Sequence, residues 1–127
     1  EGARELNPLV LAYIGDGVQM LYLRARYAAS SHAKAGKLHV LVSAKARATA
    51  QAKAADALAD VLTPEEAEVF RRGRNSHSGS SAKNASIVEY RKASGLEAVF
   101  GYLYLTGADA RLEELLRLSA EEDRSAT

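Results

Sequence analysis

Two carboxylates in this sequence stand where carboxylates are rarely placed. Asp16 lies between two glycines in LVLAYIGDGVQMLYLRAR, residues 9–26, a run that is apolar almost throughout from Leu9 to Leu23. Glu97 is the only charged residue between Lys92 and Asp109, within SGLEAVFGYLYLTG, residues 94–107. On a helix, Asp16 would have Ala12, Tyr13 and Met20 one turn away, and Glu97 would have Phe100 and Gly101, none of them charged. An ionised carboxylate left alone in such surroundings costs several kcal/mol at least. Two of them brought together could share one compensating cation. With oxygen ligands and no cysteine in the chain, magnesium or manganese suits such a site better than zinc. Each acid also has a plainer explanation. Ser94-x-x-Glu97 matches a capping box that would merely close a helix N-terminus, and Asp16 could cap a neighbouring segment or pair with an arginine. The coincidence of two lone acids in two core helices, beside small residues that let helices approach, favours the shared cation.

Between the two acids in sequence lies RRGRNSHSGSSAKN, residues 71–84. Arg71, Arg72 and Arg74 offer planar forks, Lys83 an ammonium, and Asn75, His77 and Asn84 further polar contacts. Its glycines let backbone come close to a ligand. This is phosphate-binding chemistry, although the pattern is not a Walker A loop, and a solvated loop would have a similar composition. Arg91 follows on the next element.

The net charge of +1 selects no partner, but the charge is unevenly spread. Residues 24–53 carry Arg24, Arg26, Lys34, Lys37, Lys45, Arg47 and Lys53 with no acid, and 71–92 carry six basic residues against Glu89 alone. From Ala108 onward the sign reverses, with six acids against three arginines. A basic middle and an acidic tail suit a polyanion on one surface, or else ordinary solvated helix faces. His32, His39 and His77 lack ligand spacing and read as loop or packing residues, with His77 a further phosphate contact.

The elements that must position these groups are helical. Asn7-Pro8 supplies an N-cap and a proline at the first helical position, and predicts a helix to about residue 29. Residues 30–37 read as a loop, and an alanine-rich helix follows over about 38–62. Thr63-Pro64-Glu65-Glu66 is a capping box opening a helix to about residue 72. Residues 73–85 read as a polar loop. A helix over about 86–105, bent near Gly95, ends at Gly107 as its C-cap, and a last amphipathic helix covers about 108–120, with 121–127 as a frayed tail. The expected fold is all-α, one domain of five or so helices over 1–127, a length that buries a real core. Absence of cysteine excludes disulfides. The run 9–23 is too short, and interrupted by Asp16, for a membrane span, and no signal peptide is visible. Because the sequence opens on Glu1, a trimmed N-terminus and a lost targeting segment stay open.

At this point the motifs resemble the ribonuclease III family. LAYIGDGV is similar to its helix bearing a Gly-Asp pair, and SGLEAVFGYLYL to its second acidic motif. LHVLVSAKARATAQA and RRGRNSHSGSSAKN are similar to the short branch called Mini-ribonuclease III, found in bacteria and plastids, which has no separate double-stranded-RNA-binding domain. The likeness spans about residues 7–116, with four segments in order. It implies an all-helical, homodimeric endonuclease that cleaves double-stranded RNA with Mg²⁺, or Mn²⁺, leaving 5′-phosphate ends, and whose natural substrate is the precursor of large-subunit (23S) ribosomal RNA. Carried over by position, Asp16 and Glu97 match the catalytic metal ligands. The further acids of full-length ribonuclease III fall on Leu9 and Ala12 and on Ser94 here, a reduction that the short branch shares. Fewer acids hold fewer ions, unless phosphate oxygens and water complete the shells. Arg71, Arg72, Arg74, Asn75, His77, Lys83, Asn84 and Arg91, with Lys45 and Arg47, are then expected to hold A-form RNA by its phosphates and 2′-hydroxyls. The first helix is apolar on nearly every face. Tyr13, Ile14, Met20 and the run Tyr102 to Tyr104 are therefore candidates for a surface shared between core and partner subunit. The expected location is the bacterial cytoplasm, or a plastid if a transit segment was removed. The alternatives are an inactive ribonuclease III-like module that only holds RNA in a ribosomal particle, against which both retained acids speak, and a helical protein-interaction domain with an acidic partner.

Overall fold

Asn7 starts the first helix as its sequence predicts: its Oδ1 accepts the N–H of Leu9 at 2.8 Å, satisfying a donor that a first helical turn leaves unpaired. The computed structural model describes residues 2–31, 34–76 and 86–125. After a short 3₁₀ turn at Gly2–Glu5, the described residues form six α-helices: α1 (Pro8–Ser31), α2 (Ala35–Ala46), α3 (Ala48–Leu58), α4 (Pro64–Ser76), α5 (Ile87–Leu105) and α6 (Asp109–Ser125). Among these residues there is no strand, and no helix is long and apolar enough to cross a membrane.

The alanine-rich stretch predicted as one helix is two. Arg47, with φ −68° and ψ 157°, is extended and separates α2 from α3. Neither proline nor glycine marks the break. The Arg47 N–H donates to the Ser43 carbonyl at 3.2 Å, and the Gln51 side-chain amide donates to the Ala46 carbonyl at 2.8 Å, so the end of α2 is capped from within α3. The break lets α2 pack on α1 while α3 packs on α5 and α6.

Two glycines read as loop and bend residues have another use. Helix α4 opens on the Thr63–Glu66 capping box, with reciprocal bonds of 2.9 and 3.1 Å, and continues past residue 72 to Ser76. Gly73 is buried within it, and a Cβ there would meet the Ala98 Cβ at 2.8 Å. Helix α5 is unbroken through Gly95, where a Cβ would press on Phe70 at 2.8 Å. Both glycines let α4 lie close on α5. The loop expected over 73–85 therefore begins later; residues 77–85 lie outside the described residues, as does His32.

Helix α5 is the centre of the fold, packed by α1, α3, α4 and α6. Its buried residues run almost without interruption from Ala93 to Leu103, as its all-round apolar sequence predicts. Phe100, Leu96 and Val99 are fully buried with Leu11 of α1 and Leu115 of α6, each such side chain contributing about 1.5–3 kcal/mol by leaving water. At its C-terminus Gly107 takes φ +74°. The Ala108 N–H reaches the Leu103 carbonyl (3.0 Å) and the Gly107 N–H that of Tyr104 (3.2 Å), a Schellman turn into α6.

Candidate active site

Helices α1 and α5 touch backbone to backbone. A Cβ on Gly15 would fall on the main-chain carbonyl of Glu97, and a Cβ on Gly101 would fall on that of Leu11. This is the close approach that small residues permit, and it fixes the register of the two acids. Asp16, the residue after Gly15, brings its carboxyl within hydrogen-bonding reach of the Glu97 carboxyl. The two acids that stood alone in the sequence therefore form one pair.

Their environments differ from the expectation in one respect. Glu97 is half-buried, but Asp16 is exposed, although its apolar neighbours suggested burial. The reason is that α1 buries only one of its apolar faces, that of Leu11, Ala12, Gly15, Gln19 and Leu23. Its other face is uncovered, with Tyr13 82% and Leu21 71% exposed. Asp16 stands at the border between the two. Neither plainer explanation holds among the described residues. The N-cap of α5 is Ser86, whose capping box is completed by Glu89, so Ser94 and Glu97 sit mid-helix. Among the described residues no ion pair joins Asp16 to an arginine.

Burial, first, and then the facing carboxyl of Asp16 disfavour the charged form of Glu97 and push its pKa from the ordinary 4.5 up to about 8. One donor opposes this. Gln51 of α3, buried at 2% exposure, places Nε2 at 3.3 Å from Glu97 Oε2. Gln51 was not anticipated from the sequence. Its only signal there is a long amide inside an alanine-rich helix.

Two carboxyls facing each other, with one amide as their donor and one carboxyl strained towards protonation, make a site short of positive charge. Mg²⁺ fits such a donor set, because it is held by one or two carboxylates while water and substrate phosphates fill its shell. No group of three or more His, Cys, Asp or Glu side chains is placed to hold a metal among the described residues.

The expected RNA-binding residues are spread over several helices. Arg71 is exposed on α4 but its fork is engaged by Glu68, at 2.6 and 3.0 Å. Arg74, on the same helix, lies over the Phe70 ring with its guanidinium carbon 5.9 Å from the centroid, and donates to Asn75 Oδ1 at 3.3 Å. Arg72 is half-exposed on α4 and Lys45 half-exposed on α2. Arg91 is exposed near the start of α5. Arg47, exposed at the α2–α3 break, lines an open depression of about 390 Å³ with Thr49, Lys53 and Glu89. His77, Lys83 and Asn84 lie outside the described residues. Of the candidate partner-facing residues, Tyr13 and Tyr104 are exposed, Ile14 and Met20 half-buried. Tyr102 and Leu103 belong to the core, because they turn towards the body of the domain while Tyr104 turns away from it.

A profile of the ribonuclease III domain matches residues 9–108. The Mini-ribonuclease 3 of Thermoanaerobacter sp. is 41% identical over 121 residues, covering 95% of this chain and 85% of that one. That of Clostridium tetani is 46% identical over 117 residues, covering 91% and 77%, and that of Staphylococcus aureus 42% identical over 113 residues, covering 87% and 84%. The fold is also that of a crystallised Fusobacterium nucleatum protein, at a TM-score of 0.83 and 24% identity, covering 93% of this chain and 94% of that one.

Proposed function

Because the chain belongs to the ribonuclease III family, with Mini-ribonucleases 3 among its relatives, we propose that it is a Mg²⁺-dependent endoribonuclease that hydrolyses double-stranded RNA to 5′-phosphate ends. We propose further that its natural substrate is the precursor of 23S ribosomal RNA and that it works as a homodimer in the cytoplasm, or in a plastid. The observation that carries the reading is the meeting of Asp16 and Glu97 across the Gly15–Gly101 contact. A family likeness alone would be kept by an inactive RNA-holding module, but such a module has no use for two facing carboxylates.

Asp16 and Glu97 would hold the metal, with Mn²⁺ able to replace Mg²⁺. Bound there, the ion supplies Lewis acidity towards water and phosphate oxygens. The residues of the chain do the rest. Glu97, its pKa raised to about 8, would have to give up its proton to serve as a ligand. Rigid helices keep both carboxylates in one register, so no reorganisation is needed when substrate arrives. Arg47, Arg72, Arg74, Lys45 and Arg91, and Lys83 beyond the described residues, would bind phosphates and 2′-hydroxyls of an A-form duplex, whose narrow major groove leaves little sequence to read.

One site cuts one strand. Cutting both strands together needs two sites in a fixed relation, which a two-fold dimer supplies. The uncovered face of α1, with Val10, Tyr13 and Leu21, and Tyr104 of α5 offer exposed apolar side chains that a partner subunit would cover. An obligate contact there would bury on the order of 2,000 Å² or more, and sedimentation at micromolar concentration would find a dimer. The deciding experiment is incubation with long double-stranded RNA in Mg²⁺ or in EDTA. Cleavage in Mg²⁺ alone, with 5′-phosphate products, is the expected result. RNA binding without cleavage in either would favour the inactive module.

A further inference from the structure

We infer that Gln51 is a positioning residue that holds the Glu97 carboxylate in its metal-binding orientation; this rests on the functional reading above. The side-chain nitrogen of Gln51 is shared between two acceptors, the Ala46 carbonyl at 2.8 Å and Glu97 Oε2 at 3.3 Å. Both N–H bonds of the amide are thereby used. The first ties Gln51 to the end of α2, and the second carries that constraint across to α5. A carboxylate turns freely about its last bond unless one oxygen is held. Held at Oε2 by Gln51, the Glu97 carboxyl keeps an orientation within reach of Asp16.

The orientation of the amide itself is determined by its surroundings. Turned over, Gln51 would set its carbonyl oxygen against the Ala46 carbonyl and a carboxylate, three acceptors together. In the orientation found, Oε1 is buried with no hydrogen-bond partner among the described residues. Gln51 lines a small cavity with Gln19, Leu23, Lys45, Ala50, Ala54, Ser119 and Ala120. A buried acceptor without a partner carries a desolvation penalty that an apolar side chain of equal volume would avoid. The amide is therefore explained by what its nitrogen does and not by packing.

Capping of α2 is the competing role, and metal binding without RNA separates the two. The probe is Mn²⁺ alone, followed by the loss of its free-ion electron paramagnetic resonance signal. Gln51→Met keeps the volume and removes both donors. Its Mn²⁺ dissociation constant is expected to rise at least 10-fold, the usual range for groups that orient a metal ligand being about 10–100-fold. A mere cap would lower the melting temperature and leave Mn²⁺ affinity unchanged, and a folded Gln51→Met variant with wild-type affinity overturns the inference. Should that variant not fold, the wild-type protein decides: the Gln51 side-chain amide resonance is expected to shift on addition of Mg²⁺, and not in Glu97→Gln, whereas an amide resonance unmoved by Mg²⁺ refutes the role. Asp16→Asn separates this inference from the reading beneath it. If Asp16→Asn loses Mn²⁺ while Gln51→Met keeps it, only the role of Gln51 falls. If the wild-type protein binds no Mn²⁺, or Asp16→Asn binds it equally well, the metal-site reading falls and the inference with it.

Discussion

Glu66 of α4 and Glu97 of α5 are the same side chain on adjacent helices, and their surroundings treat them in opposite ways. Glu66 is 4% exposed. Both its oxygens are taken by the Arg111 fork, at 2.7 and 2.9 Å, and Oε1 also accepts the Thr63 N–H. The Arg111 hydrogen bond is the largest of the effects that hold its pKa below the ordinary value. Glu97 is less buried, yet it has one amide donor, a facing carboxyl and a pKa pushed up to about 8. The Arg111 fork outweighs the burial of Glu66, whereas for Glu97 burial comes first and the facing carboxyl adds to it. Glu66 is complete within the folded chain and ties α4 to α6. Among the described residues no cation partners Glu97, which borders the exposed Asp16, and this is the condition in which the proposed ligand role would place it.

The largest effect should come from removing either reserved acid. Asp16→Asn and Glu97→Gln should each lower cleavage of long duplex RNA by on the order of 10³-fold or more, about 4 kcal/mol in transition-state stabilisation, while binding RNA and folding as before. The metal-free variants should be no less stable than the parent, because each removes one of two facing carboxyls that disfavour charge on each other. Near wild-type turnover in either variant would contradict the ligand assignment. The satisfied acid should behave the other way round. Arg111→Met strands Glu66, and breaking a buried pair from one side costs about 3–5 kcal/mol, so urea denaturation should show a large loss of stability. Activity per folded molecule should not change.

The glycines sharpen the same contrast at the backbone. Gly15→Ala would drive a methyl group into the Glu97 carbonyl, and because a helix backbone cannot turn aside, the cost should be about 3 kcal/mol, the upper part of the overpacking range. Gly17→Ala meets nothing within 4 Å and should stabilise the isolated subunit by up to about 1 kcal/mol through helix propensity. Equal effects in the two unfolding curves would show that the α1–α5 contact is not close.

These cases also tell which features a sequence carries on its face. Helix starts at Asn7 and Thr63 were legible because a cap is a contact between residues three or fewer apart. The break at Arg47 was not, because nothing local disfavours a helix there and the packing of α2 and α3 on different partners decides it. Gly73 and Gly95 were read as loop and bend, since a glycine's letter does not say whether its backbone freedom or its missing side chain is being used. The acid pair was legible from its apolar neighbours. The exposure of Asp16 was not, because an apolar run marks both a core face and an uncovered one. Gln51 meets Glu97 across 46 positions, and no periodicity in an alanine-rich helix announces such a contact.

The two glutamates should also give stability opposite pH dependences. The folded pKa of Glu97 is raised from 4.5 to about 8, so its contribution is complete below about pH 4.5 and is lost as pH rises through 8. The metal-free protein should therefore melt higher at pH 6 than at pH 8.5, by up to about 2 kcal/mol, or roughly 6–12 °C in a domain of this size. Glu97→Gln should flatten that slope, and Mg²⁺ should weaken it by favouring the ionised acid. The folded pKa of Glu66 is lowered, so its contribution is present above about 4.5 and lost as pH falls further. Stability should pass through a maximum on the acid side of neutrality. A melting temperature that rose steadily from pH 6 to 8.5 without metal would show that Glu97 is not held near protonation.

The smallest effect tests whether the contrast between engaged and available charge extends to the RNA-binding surface. Arg71 already spends its fork on Glu68, through a 2.6 Å ion pair between two exposed side chains, whereas no ion pair engages Arg91 among the described residues. To bind phosphate, Arg71 must give up a partner or share it, so the net gain of cation at the duplex is smaller. Each phosphate neutralised adds about 0.9 to the slope of log affinity against log salt on a B-form DNA duplex, and an A-form RNA duplex should follow in kind. Arg91→Ala should then flatten the measured slope more than Arg71→Ala, by up to about one unit, and both should weaken unrelated duplexes by similar factors. Glu68→Ala releases Arg71 and should steepen the slope. If the loss from Arg71→Ala equals that from Arg91→Ala, and Glu68→Ala changes nothing, the ion pair opens without cost on the duplex and the distinction holds only for the buried acids.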